Sequence, residues 1–426
     1  MKTNYFLLLI LFYGFSVVRL FSQSNYELLF LKGDFDQILL KAENKSTVED
    51  IYWYSLINNQ QGKVLKAIST LEEGVKSYSD NQKLELLLSD LYYETGDYTK
   101  AKPYLKKYQD NPESFIQLIN ILEFQNENIE AIRLLDERIQ NYSSNIRYYI
   151  HLGDNYYKID SLDLAVRNYE KAFSINNNDQ LTANKLVNLY NKIEKYKRAI
   201  SVCDIILSKD STNAKFIKLK GLTSFYNYDF ETTEKCFYYL YEIGDTGKFV
   251  LKYLGISEFK NGYYINSRNH LLEVYKQDSS DIDVCVFLAK GFLNSPYPDK
   301  SFYFLDRAEA LLQPDSLSMA SLYIERQSIY SALEIYDKAL ECYKIAYSYN
   351  AKPEYLFYMA SVYQNRLEDP NQALRYYNTF IESLPPKKDS DREPDENQNT
   401  ASLRKLAEDN ITALREELFF KCELEE

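Results

Sequence analysis

The sequence is poor in the residues that make tight turns, with 12 Gly and 10 Pro in 426 positions. An all-β chain uses both freely at its many reversals, so that class is disfavoured and long helices are favoured. Cysteine is scarce: Cys203, Cys236, Cys285, Cys342 and Cys422 lie far apart, with no Cys-x-x-Cys pair. Disulfide frameworks belong to small secreted domains that lack a core, and this chain is long and 45% apolar, so free and mostly buried thiols are expected. Histidine occurs only at His151 and His270. They are too few and too far apart to converge on a metal, so both are expected to be surface or packing residues. No Walker loop, GxGxxG, HExxH or GxSxG stretch is present. The carboxylates are scattered, no cofactor is expected, and the chain reads as a non-enzyme.

Long apolar runs are also missing. The one candidate, Tyr5 to Val18, is 14 residues, short of the ~20 that span a bilayer. With Lys2 ahead of it and the small Ser22 behind it, residues 1–22 read as a secretory signal peptide, with an uncleaved anchor as the alternative. Either way the rest of the chain is expected to cross the membrane, and no Cys near the cut favours a lipoprotein anchor. The expected location is the periplasm or cell envelope of a Gram-negative bacterium. Excess positive charge is lacking too: without residues 1–22 the chain keeps 48 Lys and Arg against 62 Asp and Glu, a net charge of −14. That argues against nucleic acid and anionic membrane surfaces as main partners.

What the sequence has is tyrosine, 41 residues of it, and a period. A small residue recurs at Ala67, Ala101, Ala131, Ala165, Ala199, Thr233, Ser267, Ser301, Ala339 and Ala373. Most steps are 34 residues, with one of 30 and one of 38. Twelve residues before this ladder stand Gly153, Gly221, Gly255 and Ala289. Four after it stand Leu71, Leu105, Leu135, Tyr169, Phe237, Leu271, Leu305, Tyr343 and Tyr377. A fixed period in this range marks stacked repeats. Two helices of roughly 12–15 residues, A and B, fit one period, and their axes reach the close end of ~8–10 Å only where facing side chains are small. Pro103 is expected to kink or shorten its helix B. Changes of pitch are expected near 100–112 and near 295–320.

Residues 146–179, with Tyr149, Leu152, Gly153, Tyr156, Ala165, Tyr169 and Ala172, resemble the tetratricopeptide repeat (TPR). The resemblance extends over about 48–385 and more weakly over 24–47. It implies an all-α fold: a right-handed TPR superhelix, or α-solenoid, of about ten helix-turn-helix repeats plus a C-terminal helix. The expected organisation is a signal peptide (1–22), a partial repeat (23–47), the solenoid (48–384), a flexible linker (385–398) and a helix (399–426) that caps the stack or docks elsewhere. The linker expectation rests on the polar, Pro-containing stretch Pro385 to Thr400.

The resemblance further implies that helices A line a concave wall that binds peptides and protein segments. On that wall Asn184, Asn188 and Asn191 share one helix face, and Asn offers both a donor and an acceptor to an extended backbone. Lys215, Lys218 and Lys252 would add local positive charge, and Phe225 and Phe259 apolar contact. These eight are the expected peptide-binding residues. The expected partner is a protein or peptide, acidic or with a hydrophobic anchor. The expected function is a non-enzymatic scaffold of the cell envelope. The alternative is an accessory subunit of an envelope assembly, secretion or glycan-handling machinery acting through a membrane-protein partner.

Overall fold

The computed structural model describes residues 25–293, 295–312, 316–385 and 398–425. The expected signal peptide and nearly all of the expected linker lie outside the described residues. Among those residues there are 23 helices and no strand. The chain divides into two compact units between Asn176 and Asn177. The first unit opens with a short pair, α1 (Asn25–Lys32) and α2 (Phe35–Lys41), and continues with four full A/B pairs. These are α3 (Val48–Gln60) with α4 (Val64–Ser77), α5 (Gln82–Glu94) with α6 (Tyr98–Lys107), α7 (Pro112–Phe124) with α8 (Asn128–Ile139), and α9 (Ile146–Lys158) with α10 (Leu162–Ile175).

The second unit holds six pairs. They are α11 (Gln180–Lys192) with α12 (Tyr196–Leu207), α13 (Ala214–Tyr226) with α14 (Phe230–Glu242), and α15 (Lys248–Lys260) with α16 (Tyr264–Gln277). Then come α17 (Ile282–Leu293) with α18 (Lys300–Leu311), α19 (Ser316–Ala332) with α20 (Tyr336–Tyr349), and α21 (Pro353–Asn365) with α22 (Pro370–Ser383). A long final helix, α23 (Gln398–Glu425), follows.

Every one of the ten ladder residues is fully buried, at the crossing of its own A and B helices. Close approach explains the selection for small side chains. A Cβ added at Gly153 would stand 2.4 Å from the Tyr169 ring, and one at Gly255 would stand 2.7 Å from Leu271 Cγ. At two of the three ladder residues that carry a hydroxyl, a backbone carbonyl takes it up: Thr233 Oγ1 donates to the Asp229 carbonyl at 2.7 Å and Ser301 Oγ to the Ala289 carbonyl at 2.8 Å, whereas the buried Ser267 Oγ has no hydrogen-bond partner among the described residues. A buried hydroxyl satisfied in this way costs the core little.

The ends of the helices repeat as well. Asn81, Asn111, Asn145, Asp179 and Asn213 each cap the start of a helix A by accepting from its first-turn amides. Each such cap stabilises by about 1 kcal/mol. Helix A then closes through a left-handed residue. Gly62, Gly96 and Gly262 fill this place in three repeats, but Asn126, Asp160, Glu194, Tyr228, Glu334 and Glu368 fill it in others, at φ between 53° and 60°. The next amide bonds back across the turn, as Asp229 N does to the Ser224 carbonyl at 2.9 Å.

Helix α6, which contains Pro103, has 10 residues against 12–14 in the other B helices, so the expected shortening is present. Proline cannot donate to the carbonyl one turn back, and the step of 30 follows. Helix α23 lies against α21 and α22, burying Ala407, Ile411 and Leu414, with Asn410 Nδ2 donating to Tyr377 Oη at 3.1 Å.

Replacing Gly255 by Ala tests the close crossing. Helix propensity alone favours Ala by about 1 kcal/mol, whereas the overpacking against Leu271 costs about 1–3 kcal/mol. A net loss of about 1 kcal/mol is expected in chemical denaturation; a gain would mean that the helices have room to spare.

Candidate functional site

The A-helix face of the first unit is largely occupied by its own polar contacts. Gln117 Nε2 donates to Asp90 Oδ1 at 3.0 Å, and Asn120 Nδ2 to Tyr93 Oη at 3.0 Å, each joining one helix A to the next. His151 Nδ1 meets Glu123 Oε1 at 2.9 Å, and Asn155 Nδ2 donates to the same carboxylate oxygen at 2.6 Å. In the second unit His270 Nδ1 meets Glu258 Oε2 at 2.8 Å. Both histidines are thus partnered within the fold. Burial raises the Asp90 carboxyl above its ordinary range against the opposing Gln117 hydrogen bond, and Glu94 and Glu113 add to the rise.

The eight expected peptide-binding residues all lie on α11, α13 and α15 of the second unit. Asn188 and Lys215 are exposed, and Asn184 is half-buried. Asn191 is half-buried and donates to Thr223 Oγ1 at 2.9 Å, so part of its capacity is spent on the neighbouring repeat. Phe225 packs on Tyr226, Phe230 and Tyr253, and Phe259 on Tyr264 and Phe287. Two of the three lysines expected to give local positive charge have carboxylate partners within the fold. Lys218 pairs with Asp245 at 2.9 Å, and Lys252 pairs with both Asp281 and Asp283 at 2.8 Å. The Lys218 hydrogen bond holds the Asp245 carboxyl below its ordinary range. Burial pulls the Lys252 ammonium down, and its hydrogen bonds to Asp281 and Asp283 more than offset this and raise it. Of the three lysines, only Lys215 presents an exposed ammonium without a carboxylate within 4 Å among the described residues.

One repeat further on, α15, α17 and α19 enclose a cleft of roughly 610 Å³ that the sequence reading did not single out. Ile282, Val286, Phe287, Leu312 and Leu322 give it an apolar floor. Lys260, Lys290, Asp281, Asp283 and Glu325 surround that floor, with Ser318 and Ser321 on α19. Lys290 Nζ pairs with Glu325 at 2.7 Å. Lys260 Nζ lies 5.6 Å from the ring centroids of both Phe230 and Phe287, which holds it by cation–π attraction. Asp281 caps α17 by accepting from Val284 N at 3.2 Å while it also binds Lys252. The volume falls in the range of roughly 300–1,000 Å³ common to ligand clefts, and an apolar floor is ringed by charged side chains of both signs.

Four of the five thiols are buried or half-buried packing residues. Cys203, Cys236, Cys285 and Cys342 are free, and burial pushes Cys203 up to about 12 and Cys236, Cys285 and Cys342 up to about 11. Such thiols stay protonated and poorly nucleophilic. Among the described residues no group of three or more His, Cys, Asp or Glu is placed to hold a metal ion, and no helix is long and apolar enough to cross a membrane.

A family model described as tetratricopeptide repeat matches residues 86–111 and 146–179, and a second such model matches 354–385. Among solved structures the chain is similar to a tetratricopeptide repeat protein from Parabacteroides merdae, at 16% identity and a TM-score of 0.42, covering 59% of this chain and 98% of that one. It is similar to the C-terminal part of a TPR repeat-containing protein from Cytophaga hutchinsonii, at 14% identity and a TM-score of 0.41, covering 55% and 95%. It is also similar to YrrB, described as a TPR protein with an unusual peptide-binding site, at 16% identity and a TM-score of 0.38, covering 44% and 96%. No curated protein matches the sequence.

Asp90 yields a pH prediction. Its folded pKa is raised above the ordinary 3.8, so the folded state binds the proton more tightly than the unfolded chain does. Stability is therefore lost as pH rises from 3.8 through the folded value. Asp90→Asn keeps an acceptor for Gln117 and removes the buried charge. It should raise the melting temperature at pH 7 and leave it unchanged at pH 3; equal melting temperatures at both pH values would contradict the burial argument.

Proposed function

We propose that this chain, whose repeats match tetratricopeptide repeat models over residues 86–111, 146–179 and 354–385, is a non-enzymatic scaffold whose A-helix face binds a protein or peptide segment in the cell envelope. The observation that carries the reading is the cleft between α15, α17 and α19. It is an open, apolar-floored site built by three successive A helices, with no catalytic constellation among its lining residues. Asn188 and Lys215 present exposed polar groups on the A helices of earlier repeats in the same unit, which extends the binding face beyond one cleft. Several weak contacts along a pre-formed wall add up without the cost of ordering the receptor. The exported location rests on the N-terminal residues, Lys2 and the apolar run Tyr5 to Val18.

Site-specific photo-crosslinking in the native host tests this reading. Probes at Ser321 in the cleft and at Asn188 should each give a discrete protein adduct, and a probe at Lys235 on a helix B should give none. The same sample reports the mature N-terminus by mass spectrometry, expected just after Ser22. Equal or absent labelling at all three positions sinks the scaffold reading, and an intact Met1 in the membrane fraction replaces the cleaved signal by an anchor.

A further inference from the structure

The charges around the α15–α17–α19 cleft do not cancel uniformly. Lys290 and Glu325 close on each other at 2.7 Å and leave nothing over. Lys252 serves two carboxylates, Asp281 and Asp283, and Asp281 is further held as the cap of α17. Asp283 is therefore the under-compensated member, and its side chain is 68% exposed. Lys260 is exposed and held over two rings, with no carboxylate within 4 Å among the described residues. The cleft thus offers one surplus positive group, one surplus negative group and an apolar floor that includes Val286, Phe287 and Leu322.

We propose that this cleft reads a short extended segment of another protein: one bulky apolar side chain seated on the floor, with an acidic residue on the Lys260 side and a basic residue on the Asp283 side. This rests on the scaffold reading and narrows it to a partner chemistry. The chain's own linker is a poor occupant, because Pro385 to Thr400 contains no Val, Ile, Leu, Met or aromatic residue. Within α23, Ala407, Ile411 and Leu414 are buried against α21 and α22, which holds the helix in place, although Leu406 and Phe419 on it are exposed. A cleft of roughly 610 Å³ accepts a side chain and a few residues of backbone, and not a folded domain.

Fluorescence anisotropy with the purified full chain tests the inference. The probes are end-capped synthetic peptides with a central Leu and flanks of one Glu and one Lys, two Glu, two Lys, or no charge. The Glu/Lys peptide should bind tightest, by about three- to tenfold over the others, the scale expected for exposed ion pairs. Lys260→Glu should move the preference to the two-Lys peptide, and Asp283→Lys should move it to the two-Glu peptide. Both substitutions are at exposed positions, and each variant's melting curve checks that it folds. Val286→Asp, with an unchanged melting curve, should weaken every peptide by at least about tenfold, on the scale of placing an unpaired charge in an apolar site. An affinity that ignores the flanks, or a ranking unmoved by both charge reversals, overturns the proposal. In that event a host adduct from Asn188 or Ser321 leaves the scaffold reading standing, and the loss of both adducts removes it as well.

Discussion

The structure depends on how closely helix A approaches helix B. At each crossing one small residue is fully buried, from Ala67 in the first full repeat to Ala373 in the last. In three repeats the facing residue is Gly153, Gly221 or Gly255, where an added Cβ would stand under 3.0 Å from a side chain, while in two others the same place holds the fully buried Ile119 and Val187. Interiors packed at crystal-like density transmit such a restriction outward. Once the crossing is fixed, the residues four after the ladder, such as Leu71, Leu105 and Leu271, are fully buried beside it. No single pair buries enough to stand alone, so each repeat takes its stability from its neighbours.

The same geometry governs what the A face can offer a ligand. Successive A helices lie close enough for side chains about 27–29 positions apart to meet, as Gln117 meets Asp90, Lys218 meets Asp245 and Lys252 meets Asp281. Polar residues that read as solvent-facing in one repeat are therefore often consumed by the next. What stays available is what the next repeat fails to match: the exposed Asn188 and Lys215, the surplus of Asp283 over Lys252, and Lys260, which has no carboxylate within 4 Å among the described residues. The scaffold reading is built on these remainders; of the three expected lysines, Lys218 and Lys252 are paired within the fold and Lys215 is exposed.

This contrast also explains how much was legible in the sequence. The ladder was readable because the crossing tolerates only small side chains, so the requirement appears at every period even where Ala gives way to Thr233 or Ser267. Pro103 was readable because its effect is local to one helix. The division between Asn176 and Asn177 was not, because the 34-residue step runs from Ala165 to Ala199 without interruption. Nor was the neutralisation of Lys218 and Lys252, since their partners belong to the following repeat. A signal did exist: the cap positions recur as Asn145, Asp179 and Asn213, and Asp281 extends that series to the place where Lys252 reaches it. The cleft at α15, α17 and α19 went unnoticed because Val286, Phe287 and Leu322 look like ordinary core residues until the packing leaves them at an opening.

A double-mutant cycle between Gly255 and Leu271, followed by chemical denaturation, tests the central claim most directly. If crowding at the crossing sets the fold, Leu271→Ala removes the atoms that Gly255→Ala would meet at 2.7 Å and 2.9 Å. The double variant should then be more stable than the sum of the two single losses by about 1 kcal/mol or more, within the range seen for contacting residues. Strict additivity of the two losses would contradict the account, placing the cost of Gly255→Ala somewhere other than the approach of helix A to helix B.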